Sequence, residues 1–96
     1  MKQISTQSTE YYECQVISPI DDLSSDVVAF AFLIAGTSPV PLTVWHVGEW
    51  EEQTPRILIG PLNGGLPLTV GMYGIWVKIT DNPEVPVEFA EYVQVI

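Results

Sequence analysis

The residues of this sequence that could carry chemistry begin with one histidine and one cysteine. A Ser-His-Asp triad or a Cys-His pair would have to include His46, and the chain has no Gly-x-Ser-x-Gly nucleophile elbow. Cys14 lies beside Glu13 in a predicted strand, and a neighbouring carboxylate raises the pKa of a thiol. We therefore predict no catalytic residues.

The best candidate for a metal site is the segment Asp21-Asp22-Leu23-Ser24-Ser25-Asp26, which places three carboxylates within six residues. Carboxylate oxygens are ligands that calcium prefers. The spacing differs from that of an EF-hand loop, and turn caps made by Asp and Ser side chains explain the same residues without an ion. Zinc would need more than one cysteine and one histidine. We predict no metal and no cofactor.

Glutamates form a further group of carboxylates in the second half of the chain. They are Glu49, Glu51, Glu52, Glu84, Glu88 and Glu91. Paired carboxylates can hydrolyse glycosides, but the acid must be desolvated beside a substrate groove. A domain of this size has little room for such a groove, so we predict that these glutamates lie on solvated turns and on an outer strand.

Aromatic side chains are the remaining candidates for a site. The predicted interface residues are Trp45, Trp50, Trp76 and Tyr92. Such residues anchor protein interfaces, and they also form stacking surfaces for sugars. If residues 73–80 form a strand, Trp76 lies beside Lys78 on the face opposite Ile75. We therefore expect Trp76 to be half-exposed or covered by another subunit.

The elements that must position these residues are short strands. Eight prolines and seven glycines divide the apolar residues into segments of strand length. The predicted strands are residues 11–17, 27–34, 42–47, 56–59, 66–69, 73–80 and 87–96. About seven short strands separated by turns predict an all-β fold, an immunoglobulin-like antiparallel β-sandwich.

Two of these segments are predicted to be core strands. Residues 27–34 could also form a short buried helix, but bulky and mostly smaller side chains alternate along them, which favours a strand. Residues 73–80 alternate more clearly. The sequence Asp81-Asn82-Pro83 then predicts a turn, and hence a hairpin into residues 87–96.

Composition limits the functional classes. With 96 residues, the chain has room for one domain. Twelve acidic and three basic residues give a net charge of -9, which repels nucleic acid and anionic membranes. The lone cysteine, together with the lack of an apolar signal segment or membrane span, predicts synthesis in a cytoplasm. Residues 1–10 are polar and are predicted to be a flexible arm before the domain at 11–96.

One part of the sequence resembles a known family. The run Gly60-Pro61-Leu62-Asn63-Gly64-Gly65 and residues 68–87, which contain Gly-x-Tyr-x-x-Trp-Val-x-Ile-Thr-Asp-x-Pro-Glu-x-Pro-Val, resemble small immunoglobulin-like structural proteins from the head or head-tail module of tailed bacteriophages of actinobacteria. The resemblance covers about a third of the chain. It implies a virion component without catalytic residues, whose partners are the major capsid protein or other virion proteins.

The expected function is therefore that of a virion structural protein, made in the host cytoplasm and bound to the capsid as a decoration or accessory subunit that stabilises the head lattice. A homo-oligomer is compatible with this role, whereas nucleic-acid and membrane partners are not expected. Within the particle, the alternative is a head-tail connector or a baseplate or tail subunit. Outside it, the alternative is a carbohydrate-binding adhesion module that uses Trp45, Trp50 and Tyr92.

Overall fold

The computed structural model describes residues 1–14, 26–80 and 85–96. These residues contain no helix and form eight strands in two sheets. The strands are β1 (Lys2–Ile4), β2 (Glu10–Glu13), β3 (Val27–Ile34), β4 (His46–Val47), β5 (Glu49–Glu51), β6 (Thr54–Ile59), β7 (Gly71–Thr80) and β8 (Val87–Val95). The predicted all-β fold is confirmed, and its immunoglobulin-like topology stays a prediction.

The strands are divided between a five-stranded and a three-stranded sheet. The larger sheet has the order β1-β8-β7-β3-β4, and the smaller has the order β2-β6-β5. Strand β1 runs parallel to β8, while the other neighbours are antiparallel. Because the chain passes repeatedly from one sheet to the other, each sheet is built from strands that are separated in the sequence.

The core lies between the sheets and consists of alternate strand residues. Its main members are Val28, Phe30, Ile75, Val77, Ile79 and Val93 from the larger sheet, and Tyr12, Ile57 and Ile59 from the smaller. The Tyr12 ring packs edge-on against Phe30 and Phe32, with centroid distances of 6.1 and 6.2 Å. Since every second side chain of β3 and β7 points into this core, the residues between them face the other side of the larger sheet.

The predicted strands agree with the structure where the alternation of side chains is strong. Strand β3 has the predicted bounds, β7 extends the predicted segment by two residues at its start, and β8 ends one residue early. Two predictions are wrong. Residues 66–69 make only an isolated bridge between Leu66 and Ile59, and residues 42–47 form a strand only at β4. Pro67 lies within the first segment and Pro41 precedes the second, and proline cannot donate to a ladder.

Some predictions concern residues outside the described ranges. These are the end of the first predicted strand (15–17), residues 21–25 of the acidic loop, and the turn at 81–83. The first predicted strand begins one residue early, at Glu10 in β2. The hairpin expected across the predicted turn is confirmed by the antiparallel pairing of β7 with β8.

Residues 1–10, which the sequence predicted to be a flexible arm, contain strand β1 in the structure. Strand β1 pairs with the end of β8, so that Ile4 lies opposite Val95 and is buried. The backbone N–H of Thr6 then donates to the carbonyl of Ile96 at 2.8 Å. The segment is polar because only one of its side chains has to enter the core, and a single apolar residue gives no periodic signal.

Candidate protein-interaction face

The larger sheet presents a second surface on the side away from the core, which we call the outer face. Its side chains come from alternate residues of β3, β7 and β8 and from the β4 region. Residues that lie opposite one another in neighbouring strands form rows across this face. One row consists of Val47, Ala29, Lys78 and Val87, and the next row consists of Ala31, Trp76 and Phe89. Lys78 is the one charged residue in these rows, so this surface is mainly apolar although the chain is strongly acidic.

Three aromatic residues, Trp76, Phe89 and Tyr92, pack together on the outer face, and we call them the aromatic strip. The ring centroids of Trp76 and Phe89 are 5.3 Å apart, and those of Phe89 and Tyr92 are 4.9 Å apart. Gly74 lies beneath them, because a Cβ added there would be 3.3 Å from the Phe89 ring and 3.5 Å from the Tyr92 ring. The missing side chain therefore lets the rings lie close to the backbone while Phe89 and Tyr92 remain exposed.

Phe89 reaches the outer face because β8 contains a β-bulge. Ile75 lies opposite Glu91 and Trp76 lies opposite Phe89, so that Ala90 is the extra residue. With regular alternation, Phe89 and Glu91 would point to the same face. The sequence pattern therefore did not indicate Phe89 as a residue of the outer face. The one available signal was Glu91, a charged residue in an otherwise apolar series of odd-numbered positions.

The indole N–H of Trp76 is a buried donor with no hydrogen-bond partner among the residues that the structure describes. A buried polar group left in this state costs about 1–3 kcal/mol. The Cβ position of Gly74 is 3.7 Å from this nitrogen, and the Phe89 ring packs against the same indole. Ring packing rather than hydrogen bonding therefore positions Trp76.

Trp45 and Lys78 form the part of the outer face next to β4. The Lys78 Nζ lies 4.6 Å from the centroid of the Trp45 ring, which is a cation–π contact. Beside them is an open groove of about 700 Å³. Its lining includes Pro39, Pro41, Trp45, Trp76, Lys78 and Val87. The described lining of the groove therefore combines apolar and aromatic side chains with the polar Ser38 and Thr43 and with one cation, Lys78, which lies against an aromatic wall.

A turn at residues 40–43 borders this groove and exposes a large apolar side chain. Thr43 N–H donates to the Val40 carbonyl at 2.9 Å, and Val40 N–H donates to Thr43 Oγ1 at 2.8 Å. Pro41 restricts the backbone at the second position. Leu42 is 91% exposed, and Val40 and Val44 on either side are exposed as well. Contiguous exposed apolar side chains of this kind are typical of surfaces that another molecule covers.

The smaller sheet has an outer surface of different chemistry. Arg56 in β6 forms ion pairs with Glu49 at 3.4 Å and with Glu51 at 3.3 Å. Its guanidinium carbon also lies 3.9 Å from the centroid of the Tyr11 ring. The cation thus interacts with two carboxylates and one aromatic ring of its own sheet.

The structure brings three of the four predicted interface residues onto the outer face: Trp45, Trp76 and Tyr92. Trp50 lies instead in β5 of the smaller sheet and packs against the core. Its indole N–H donates to the Asp26 carbonyl at 2.7 Å. Trp50 therefore stabilises the fold, and it does not share a stacking platform with Trp45 and Tyr92.

Cys14 and Tyr12 lie at the interior rather than in an open site. Burial, followed by the charges of Glu91 and Glu88, raises the pKa of the Cys14 thiol to about 11. The direction agrees with the sequence prediction, but the main cause is burial rather than Glu13. Tyr12 donates to Glu91 Oε2 at 2.8 Å, and burial together with this hydrogen bond raises the pKa of its phenol. Both groups are therefore protonated at neutral pH.

His46 lines a second hollow, of about 470 Å³, together with Glu49 and Arg56. Glu49 is already ion-paired with Arg56 there. Across residues 1–14, 26–80 and 85–96, no group of three or more His, Cys, Asp or Glu side chains is arranged to hold a metal ion. The same residues include no helix of the length and apolarity that a membrane span requires.

Comparisons with known proteins do not assign this chain to a family. No family model matches it, and no curated protein or solved structure is significantly similar to it. The fold and the outer face are therefore the basis on which its function has to be argued.

Proposed function

We propose that this chain is a non-enzymatic structural subunit of a tailed-bacteriophage particle, bound to the capsid as a decoration or accessory protein. Its partners are the major capsid protein or other virion proteins, and the outer face is its protein-binding surface. The observation that carries this proposal is the aromatic strip, which is half-exposed although a bulge and a glycine fix it in place. The resemblance of residues 60–65 and 68–87 to phage structural proteins supports the particle context.

The strand order supports the immunoglobulin-like part of the proposal. In these domains, strands B, E and D share one sheet, and strands C, F and G share the other. If β2 to β8 are named B, C, C′, D, E, F and G, the expected orders B-E-D and G-F-C-C′ agree with β2-β6-β5 and β8-β7-β3-β4. Many cell-surface recognition domains use this sandwich architecture.

Charge supports a protein partner. The net charge of -9 opposes binding to phosphate backbones, whereas an apolar and aromatic surface has the composition of an interface core. A capsid lattice would also strengthen weak individual contacts, because a subunit that touches several neighbours gains avidity.

Mass spectrometry of purified particles tests this proposal directly. We expect the chain to be a stoichiometric component of the virion, and its absence from particles made by a host that expresses it would contradict the structural role. Copy number then distinguishes the placements. A lattice decoration would be present in hundreds of copies, whereas a connector or baseplate ring would have about six or twelve.

A pair of matched variants tests the outer face as the binding surface. Phe89 and Tyr11 are 43% and 41% exposed and lie on the outer surfaces of different sheets. We expect Phe89→Ser to reduce incorporation into particles and Tyr11→Ser to leave it unchanged. Equal incorporation of both variants would exclude the aromatic strip as the contact. Specific binding of the isolated wild-type chain on a glycan array would instead favour the adhesion alternative.

A further inference from the structure

We infer that two copies of this chain pair through their outer faces, and that the turn at residues 40–43 of each copy lies in the groove of the other. This rests on the proposed function insofar as the outer face is a protein contact within the particle. It identifies the virion protein that occupies this face as a second copy of the chain, so that the pair is the unit that joins the capsid.

The first support is the self-complementary shape of this region. Leu42 is 91% exposed at the tip of the turn, and the turn is held by two hydrogen bonds. Val40, Pro41 and Thr43 of this turn form one wall of the groove of about 700 Å³, whereas Leu42 is not part of its lining. When a projection and a recess are neighbours on one surface, a twofold axis between two copies places the projection of each copy opposite the recess of the other. Each turn then enters the other groove, as an isologous interface requires.

The second support is the distribution of charge. The chain carries twelve acidic residues, yet the described lining of the groove contains no carboxylate and a single cation, Lys78. Two acidic chains repel each other least where their surfaces lack carboxylates. A basic protein would instead be attracted to the carboxylate-bearing surfaces elsewhere on the domain. The chemistry of the groove therefore favours a second copy as its occupant.

The third support is the available area. Strands β3, β7 and β8 are 8, 10 and 9 residues long, so the outer face is about 30 Å long and, across four strands, about 20 Å wide. Two copies would bury about 1,200 Å² in total, which is the lower limit for specific interfaces. We therefore expect a reversible dimer rather than a permanent one.

Sedimentation equilibrium of the purified full chain, between about 1 μM and 1 mM, tests this inference. We expect a monomer-dimer equilibrium that tightens as salt rises from 0.02 to 0.3 M, because screening reduces the repulsion between two chains of charge -9. A chain that stays monomeric at every concentration, or a dimer that weakens with salt, would overturn the inference.

Two leucine variants test the geometry. Leu42 and Leu62 each follow a proline and are exposed, at 91% and 62%, but Leu62 lies in the connection between β6 and β7. We expect Leu42→Ser to weaken the dimer at least about tenfold and Leu62→Ser to leave it unchanged. Circular dichroism should show that both variants fold as wild type does. If Leu42→Ser dimerises as wild type does, or if both variants weaken the dimer equally, the inference is wrong.

The two proposals fail in different experiments. Particles that contain the chain, combined with a purified chain that stays monomeric, would overturn the dimer and leave the structural role intact. A purified dimer that dissociates on Leu42→Ser, combined with particles that lack the chain, would support the dimer and overturn the structural role.

Discussion

The outer surfaces of the two sheets differ in their chemistry and in whether their side chains find partners within the same surface. On the smaller sheet, the Arg56 guanidinium forms ion pairs with Glu49 and Glu51 and lies against the Tyr11 ring, so its charge is paired within the same surface, although its Nε–H has no hydrogen-bond partner among the described residues. On the larger sheet, aromatic rings pack against one another and remain half-exposed, and the Trp76 N–H has no acceptor. The contacts on the smaller sheet are explained by the stability of the isolated chain. The surface of the larger sheet instead has the composition of an interface without its partner.

Two tryptophans show the same contrast at the level of single groups. Trp50 in the smaller sheet packs against the core and donates its N–H to the Asp26 carbonyl. Trp76 in the larger sheet lies on the outer face, and its N–H has no acceptor in the described part of the chain. The residue type is the same, and the hydrogen bond distinguishes a structural indole from one positioned by ring packing alone.

The largest difference is expected when one aromatic side chain on each of the two surfaces is truncated to alanine. Trp76→Ala removes an indole that packs on Phe89 and over Gly74, and we expect the free energy of unfolding to fall by about 2–3 kcal/mol. Tyr11→Ala should cost less than about 1 kcal/mol, because that ring lies on the exposed side of an edge strand. Urea denaturation followed by circular dichroism measures both. Equal losses would remove the contrast between the surfaces.

Conservative replacement of the two tryptophans should give the next largest difference. Trp50→Phe leaves the Asp26 carbonyl without this donor, and we expect a loss of about 1–2 kcal/mol. Trp76→Phe removes a donor that has no acceptor, so stability should change by less than about 0.5 kcal/mol or increase. The same denaturation measurements apply. A loss at Trp76→Phe as large as at Trp50→Phe would mean that the Trp76 N–H does have a partner.

Alkaline pH tests the interior between the two surfaces. The pKa of the Cys14 thiol is about 11 in the folded chain, compared with the usual value of 9.0. Because the folded state keeps this proton longer than the unfolded state, stability should be constant below pH 9 and fall as the pH rises towards 11. The pKa of Tyr12, which is also raised, adds to this fall. Urea midpoints between pH 8 and 11 should show a shallower decrease for Cys14→Ala, and an unchanged slope would contradict the burial of the thiol.

The smallest effect is expected on the charged surface. Glu51→Gln removes one of the two ion pairs of Arg56 and leaves the pair with Glu49. Exposed ion pairs contribute little and are screened by salt, so the urea midpoint should fall slightly at low salt and match wild type at 1 M salt. Glu52→Gln in the adjacent turn is the matched control, since no ion pair of Glu52 is found among the described residues. A large, salt-independent loss would show that this surface depends on its charges more than the comparison assumes.

Local patterns predicted a substantial part of the fold. Strands β3 and β7 were identified because bulky side chains alternate along them, and the same period placed Trp76 on the face opposite the core. Phe89 was not identified, because the bulge at Ala90 reverses the alternation and the charged Glu91 is its one trace in the sequence. Strand β1 was missed because its pairing joins residues more than 80 positions apart. Nothing in the sequence indicated that Trp50 lies on a different sheet from Trp76, because its partner, Asp26, is 24 positions away along the chain.

By itself, the sequence determined the all-β class, the main strands and the acidic charge, since these depend on composition and on a repeat of two residues. The tertiary structure decided which aromatic residues share a surface and which proline-flanked segments stay outside the sheets. It also decided that strand β1 pairs with the end of β8. The physical reason is that strand pairing, register and bulges are set by contacts between distant segments, and each shift of one residue moves a side chain to the opposite face of its sheet.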